Sequence, residues 1–295
     1  MTQASSGGEG GPRAAQIARH PVNLPTVEKR IAGLARLLPK VVAAARRDLV
    51  HCNGLKIDAR EQAAYLLLWC PESPEACGAL RLGAEAVVAI FQGAMAPDEE
   101  IEVRLGDEPP ARLPSNVSPD LHDGSNWMDG FFMAAVCRDD ELLNSLCAVP
   151  SRIFRESTTR GPEYAYQFAE ALQSYWKKED SVAVRARSAA DAAKDENLGF
   201  PATDATRDLA RPAIEVFGRL IDGGAEAFNE SLSRALELHR RFWSRSEDMA
   251  RDPKGYFSLS LTGLACLAND AGIAVTVESD YLPKSLVRGD CRGSA

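Results

Sequence analysis

From Thr26 onward, apolar residues recur at three- and four-residue steps (Val27, Ile31, Leu34, Leu37, Leu38, Val41, Val42), the spacing of one face of an α-helix. The stripe predicts a first helix reaching about Val50. Gln62 to Cys70 predicts a second, very apolar helix stopped by Pro71, and Pro74 to Met95 a third that ends near Pro97. The period then changes. Ile101-Glu-Val-Arg-Leu105 and Ala111-Arg-Leu-Pro114 alternate around Gly106-Asp-Glu-Pro-Pro110, which predicts a small hairpin inserted between helices. Helical spacing resumes where Asp123 or Ser125 caps a segment holding Trp127, Phe131, Phe132 and Val136. Further helices are expected over Asp139 to Cys147, Tyr164 to Trp176, Val182 to about Ala193, Arg211 to Ile221, and Ala225 to Trp243.

A last helix, roughly 257–270, carries Leu259, Leu261, Leu264, Cys266 and Leu267 nearly all round its axis, which places it inside a helical body. Gly272 suits its left-handed terminator, and the β-branched run Ile273 to Val277 predicts a short strand before Glu278-Ser-Asp-Tyr-Leu-Pro283. The fold class that follows is mainly α: about ten packed helices in a helical-hairpin-like array, a small β-hairpin near 101–114 and a short strand near 273–277. Residues 1–24, opening on a Gly- and Ser-rich stretch, read as a disordered tail, 25–288 as one helical domain, and 289–295 as a flexible C-terminus.

Composition narrows the classes. With 295 residues the chain buries a large core without metal or disulfide staples, and no run approaches the ~18 apolar residues of a membrane span. The N-terminus lacks the basic start and apolar core of a secretory signal, and most of the seven cysteines fall in apolar helical context, so a reducing cytoplasm is the expected home. A net charge of −8 argues against nucleic-acid binding and fits a basic partner.

Local catalytic signatures are absent. His20, His51, His122 and His239 form no HxxxH or HExxH spacing, and GxSxG, GxxxxGKS and a strand-to-helix GxGxxG do not occur, so neither a metal nor a cofactor is expected. His239 sits in a long predicted helix, where a structural role outweighs that of a base or ligand. If the chain were an enzyme, His239 with a carboxylate such as Asp252 would be its acid/base pair. Asp139, Asp140 and Glu141 open a helix, where negative charge complements the dipole. Glu278 and Asp280, two apart after the predicted strand and next to Tyr281, are suited to partner contact.

Several blocks occur together in order. They are Asn126-Trp127 through Arg138-Asp-Asp140, Leu146-Cys-Ala-Val-Pro150, Tyr164-Ala-Tyr166 with Tyr175-Trp176, Ala235-Leu-Glu-Leu-His239 with Trp243, and Leu264 through Pro283. On these blocks, from residue 25 to 288, the chain resembles the immunity protein 49 family. The resemblance implies a mostly helical bacterial protein, not an enzyme, encoded beside a polymorphic or contact-dependent toxin that it binds and neutralises. A basic nuclease-type toxin would suit the acidic charge. The candidate partner-binding residues are Asp139, Asp140, Glu141, Glu278, Asp280 and Tyr281. The family-motif residues Asn126, Trp127, Arg138, Tyr164, Tyr175, Trp176, His239, Trp243 and Pro283 read as structural. A helical scaffold for a peptide or protein partner stays open beside the immunity and hydrolase readings, and the oligomeric state stays open as well.

Overall fold

In the computed structural model, which describes residues 16–290, the first apolar stripe becomes α1 (Leu24–Ala45). It stops before the expected end because Asp48 accepts the Val50 N–H and opens a separate short turn, Leu49–His51. α2 (Cys52–Trp69) begins well before Gln62, since Cys52, Leu55 and Ala59 continue its buried face among polar neighbours. α3 (Pro74–Met95) matches its expectation, with Pro74 in the first turn, where a missing N–H costs nothing. It is long and apolar enough to cross a membrane, at a mean hydropathy of 1.2, and its run from Gly83 to Phe91 is buried inside the protein.

The hairpin forms as expected from β1 (Glu100–Val103) and β2 (Ala111–Pro114), antiparallel with Glu100 opposite Pro114 and Val103 opposite Ala111. Val103, Leu105 and Leu113 bury against Ala86, Ala89 and Ile90 of α3, making a small second core beside the main one. The remaining helices are α4 (Gly124–Cys137), α5 (Asp140–Cys147), α6 (Ser151–Glu156), α7 (Glu163–Trp176), α8 (Val182–Ala192), α9 (Arg211–Asp222), α10 (Ala225–Trp243), α11 (Glu247–Arg251), α12 (Leu259–Asp270) and α13 (Lys284–Arg288). The fold is mainly α, with thirteen α-helices and one two-stranded sheet among the described residues. The short helices α6, α11 and α13 have too few turns to show a period, so sequence patterning passes over them.

Successive helices pack as neighbours: α1 on α2, α2 on α3, α3 on α4, α7 on α8, and α9 on α10. Two glycines permit the closest crossings. A Cβ on Gly130 would lie 2.5 Å from Val87 Cγ1, and one on Gly263 would lie 2.7 Å from Phe132 Cδ1, so α4 meets α3 and α12 almost backbone to side chain. From α4 an aromatic seam runs through the main core, Trp127 to Phe131 to Phe132, then Phe168 of α7 and Phe217 of α9, with ring centroids 5.2 to 6.3 Å apart. α12 is buried on almost every side, as its composition requires.

Two expectations are corrected. The run Ile273 to Val277 is no strand: Asn229 of α10 donates to Ala274 O at 2.8 Å and accepts from Thr276 N at 2.7 Å, satisfying backbone groups that a neighbouring strand would otherwise pair. The tail expected over 1–24 lies outside the described residues up to residue 15, as does the expected flexible end from 291. Residues 16–23, however, are held in place. Ile17 N–H donates to Glu278 O at 3.0 Å, Asp280 N–H donates to Ile17 O at 3.1 Å, and His20 is buried. Cys52, Cys70, Cys137, Cys147 and Cys266 are free thiols, and burial pushes Cys52, Cys147 and Cys266 up to about 12. Cys77, by contrast, is disulfide-bonded, which its apolar helical setting did not suggest.

Candidate functional site

Lys56 and Arg60 stand one turn apart on α2, and Asn126 and Asp129 stand less than one turn apart on the facing side of α4. Arg60 Nη1 lies 2.8 Å from Asp129 Oδ1, and Lys56 Nζ lies 2.5 Å from Asn126 Oδ1 and 3.4 Å from Asp129 Oδ2. This polar bridge crosses a cleft. On one side a cavity of about 540 Å³ opens among α2, residues 120–123 and the turn Asp252–Lys254. On the other a cavity of about 270 Å³ runs inward between α4, α7, α10 and the start of α12. Arg60, Asp129 and Lys254 line both.

The outer cavity is acidic. Glu61, Asp120, Asp123, Asp129 and Asp252 line it, and burial, with Asp58 and Asp252 adding to it, pushes the Glu61 carboxyl above the usual range. The inner cavity is walled by apolar side chains, among them Met128, Phe132, Phe168, Leu209 and Leu259. Part of that wall is a π-helical turn, Thr206–Ala210, which widens the backbone just before α9; such turns occur often at functional sites. The turn carries Asp208, whose side chain is 1% exposed and is held by Arg241 and by Arg245 Nη2 at 2.6 Å. Two guanidinium groups on one buried carboxylate compensate its desolvation, and Arg245 pairs with Asp204 as well.

Behind the inner cavity lies a buried polar stack. The Tyr281 hydroxyl accepts from His20 N–H at 2.9 Å and lies 2.9 Å from His20 Nδ1, while His20 Nε2 lies 3.0 Å from Ala250 O. A carbonyl can only accept, so His20 donates through Nε2 and receives the Tyr281 hydroxyl at Nδ1, as a neutral ring. His239 packs edge-on to Tyr281, centroids 4.9 Å apart, and its Nε2 lies 3.3 Å from Gly255 O.

Burial drives His239 down from 6.5 to about 3. The folded value is depressed, so the stabilisation is full above the unfolded pKa near 6.5 and is lost as pH falls below it. Lowering the pH from 7 to 5 is expected to remove about 2 kcal/mol through this residue. Urea unfolding at both pH values would show that loss in the wild type and not in His239→Gln; equal losses in the two proteins would contradict it. His20, whose pKa is also lowered by burial, and Glu85 and Asp123, whose pKa values are raised by it, remain in both proteins and cancel in the comparison.

The candidate partner residues fall into separate groups. Asp139 caps α5 by accepting Leu142 N–H at 3.1 Å and pairs with Arg81 Nε at 3.0 Å, whereas Asp140 and Glu141 are exposed. Glu278 pairs with Lys284 at 2.8 Å, and Asp280 accepts from Gln16 Nε2 at 2.9 Å and from Arg19 N–H at 3.0 Å. Tyr281 is corrected outright: it is 0% exposed, so its ring is core and no partner can reach it. Its burial follows from the segment 16–20 that covers it.

The motif residues are structural in most cases. Asn126 Nδ2 donates to Leu121 O, Trp127 Nε1 to Leu146 O, Trp176 Nε1 to Asn144 Oδ1, and Tyr175 packs on Phe217. Pro283 caps α13, and Arg138 ties α4 to that helix. Tyr164, His239 and Trp243 have a second aspect, since all three line the inner cavity. Arg60, Asp129, Asp208 and Lys254 were not singled out from sequence. Their neighbours along the chain mark nothing, because the groups that define them arrive from other helices.

The family model described as Immunity protein 49 matches residues 71–286. The match starts after α2, so Lys56 and Arg60 lie outside it, and it is narrower at the N-terminal side than the resemblance over 25–288. Neither a curated protein nor a solved structure matches the chain.

Proposed function

The chain belongs to the immunity protein 49 family, and we propose that it protects the cytoplasm of the cell that makes it by binding a cognate bacterial toxin in a stoichiometric complex, without catalysis. The observation that carries this reading is the family match itself, which spans most of the chain. The geometry agrees with it where the enzyme reading is weakest. His239 is buried, neutral at pH 7 and donates to Gly255 O, while Asp252 accepts the Lys254 N–H of the same turn. With its pKa at about 3 and Nε2 committed to Gly255 O, His239 is a weak proton acceptor at pH 7.

A net charge of −8 favours a basic toxin, a nuclease for instance, through electrostatic steering. Asp140 and Glu141 are the exposed members of the candidate acidic set on α5. Reversing both (Asp140→Lys, Glu141→Lys) is expected to slow association with the toxin domain encoded beside this gene by roughly three- to tenfold at low salt, while two positive charges in the first turn of α5 lower the melting temperature by only a few degrees. Stopped-flow association rates at two ionic strengths test it. An unchanged rate at low salt removes this face from the encounter surface.

A further inference from the structure

Between Asp98 and Glu108 six carboxylates stand against one base, Arg104, a local charge of −5 in a chain whose total is −8. This is the hairpin. It buries one face on α3 through Val103, Leu105 and Leu113 and turns Glu100, Glu102, Arg112 and Pro114 to solvent. Ser115 N–H donates to Glu99 O at 2.9 Å, so Glu99, Ile101 and Val103 are the residues that bond across the ladder. The alternate residues, Glu100 and Glu102, therefore aim their backbone N–H and C=O groups away from β2, and no group among the described residues bonds them. The opposite edge is blunted. There Pro114 has no N–H to offer, and Arg46 of α1 reaches Pro109 O, just before β2, at 2.6 Å. β1 carries neither proline nor lysine, and an open edge of this kind is a template for another strand.

We propose that the β1 edge receives an extended basic segment of the toxin, which adds a third strand to the sheet. The proposal rests on the immunity reading and says where the complex is made. On the solvent face of the incoming strand, beside Glu100 and Glu102, stand lysine or arginine; between them, beside Ile101 and Val103, stand apolar residues. Main-chain hydrogen bonds give such a contact its affinity and the alternation of side chains its specificity. Charge selects the occupant. A second copy of this chain pairing edge to edge would set Glu100 and Glu102 against the same residues, and like charges across a ladder oppose pairing. The surface also continues to α5, since Arg104 Nη1 lies 4.0 Å from Glu141 Oε1. A basic toxin steered towards Asp140 and Glu141 thus arrives beside β1.

The test uses the whole protein and the toxin domain encoded beside its gene. Glu102→Pro removes an outward N–H of the β1 edge without touching a ladder bond, Glu102→Gln removes only the charge, and Arg112→Pro makes the same backbone change on the opposite edge. Isothermal titration at high salt, where exposed charges are screened, is expected to show a loss of affinity of about tenfold or more for Glu102→Pro, and less than about a twofold change for Glu102→Gln and Arg112→Pro. Hydrogen exchange gives a readout that no substitution disturbs: in the wild-type protein the amides of Glu100 and Glu102 should slow on binding by about tenfold or more, and that of Arg112 should not. Toxin bound while those two amides exchange freely, or bound by Glu102→Pro as tightly as by the wild type, overturns the edge as the docking point and leaves immunity by binding intact. Slowing of the same amides in the protein alone as its concentration rises would give the edge to a second copy and overturn the toxin as its occupant. No complex with the wild-type protein overturns the immunity reading and this one with it.

Discussion

Replacing Trp127 with alanine is expected to lower the free energy of unfolding by about 3–5 kcal/mol. Trp127 is 0% exposed in the first turn of α4, stacked on Phe131 at 5.2 Å and set against Phe154 at 5.5 Å. Its removal leaves a cavity that the surrounding helices cannot close, because α4 is already pressed against Val87 at Gly130 and Phe132 is pinned against Gly263. The hydrogen bond from Nε1 to Leu146 O, 2.8 Å, is lost as well. That loss is the smaller share, because Leu146 O keeps the N–H of Val149 at 3.2 Å. Trp127→Phe should therefore recover more than half of the deficit. Chemical denaturation of both variants checks the order, and an alanine variant within 1 kcal/mol of wild type would contradict the packing described here.

Arg138 is the second position where a large effect is expected. It ends α4 in the left-handed conformation, φ 53°, and its side chain is only 4% exposed. The guanidinium meets Asp270 of α12 through Nε at 2.9 Å, Leu286 O through Nη1 at 2.7 Å and Val287 O through Nη2 at 2.6 Å. The last carbonyls of a helix have no partner within it, so Arg138 acts as the external cap of α13 while pairing with α12. Arg138→Ala is expected to cost about 3 kcal/mol, and Arg138→Lys to recover little of it, since a single ammonium cannot reproduce three divergent N–H bonds. Hydrogen exchange would localise the damage to 284–288 first. A lysine variant as stable as wild type would show that charge alone, and not the planar fork, holds the C-terminal helix.

Local chemistry made much of this fold legible in the sequence. Asp123 and Asp139 cap α4 and α5 through their own side chains, Pro74 starts α3, and Gly272, at φ 84°, follows the end of α12. Each of these signals acts within a few residues of where it is read. The failures share the opposite property. Ile273 to Val277 has the composition of a strand, but Asn229, some 45 residues earlier, already satisfies its backbone. Tyr281 sits among Glu278, Asp280 and Pro283 and so looks like a surface turn; the chain that buries it through His20 lies 261 residues away. The cleft was invisible for the same reason. Arg60 meets Asp129 across 69 residues, and Asp208 meets Arg241 and Arg245 across 33 and 37. No local period or spacing encodes these pairs.

The proposed protection by binding predicts a stoichiometric end point. The measurement is a titration of the toxin domain's activity with the purified protein, at a toxin concentration far above the dissociation constant of the complex. Residual activity should fall linearly and reach zero at one equivalent. Complete inhibition at a small fraction of an equivalent would instead mean turnover, and would contradict neutralisation by complex formation.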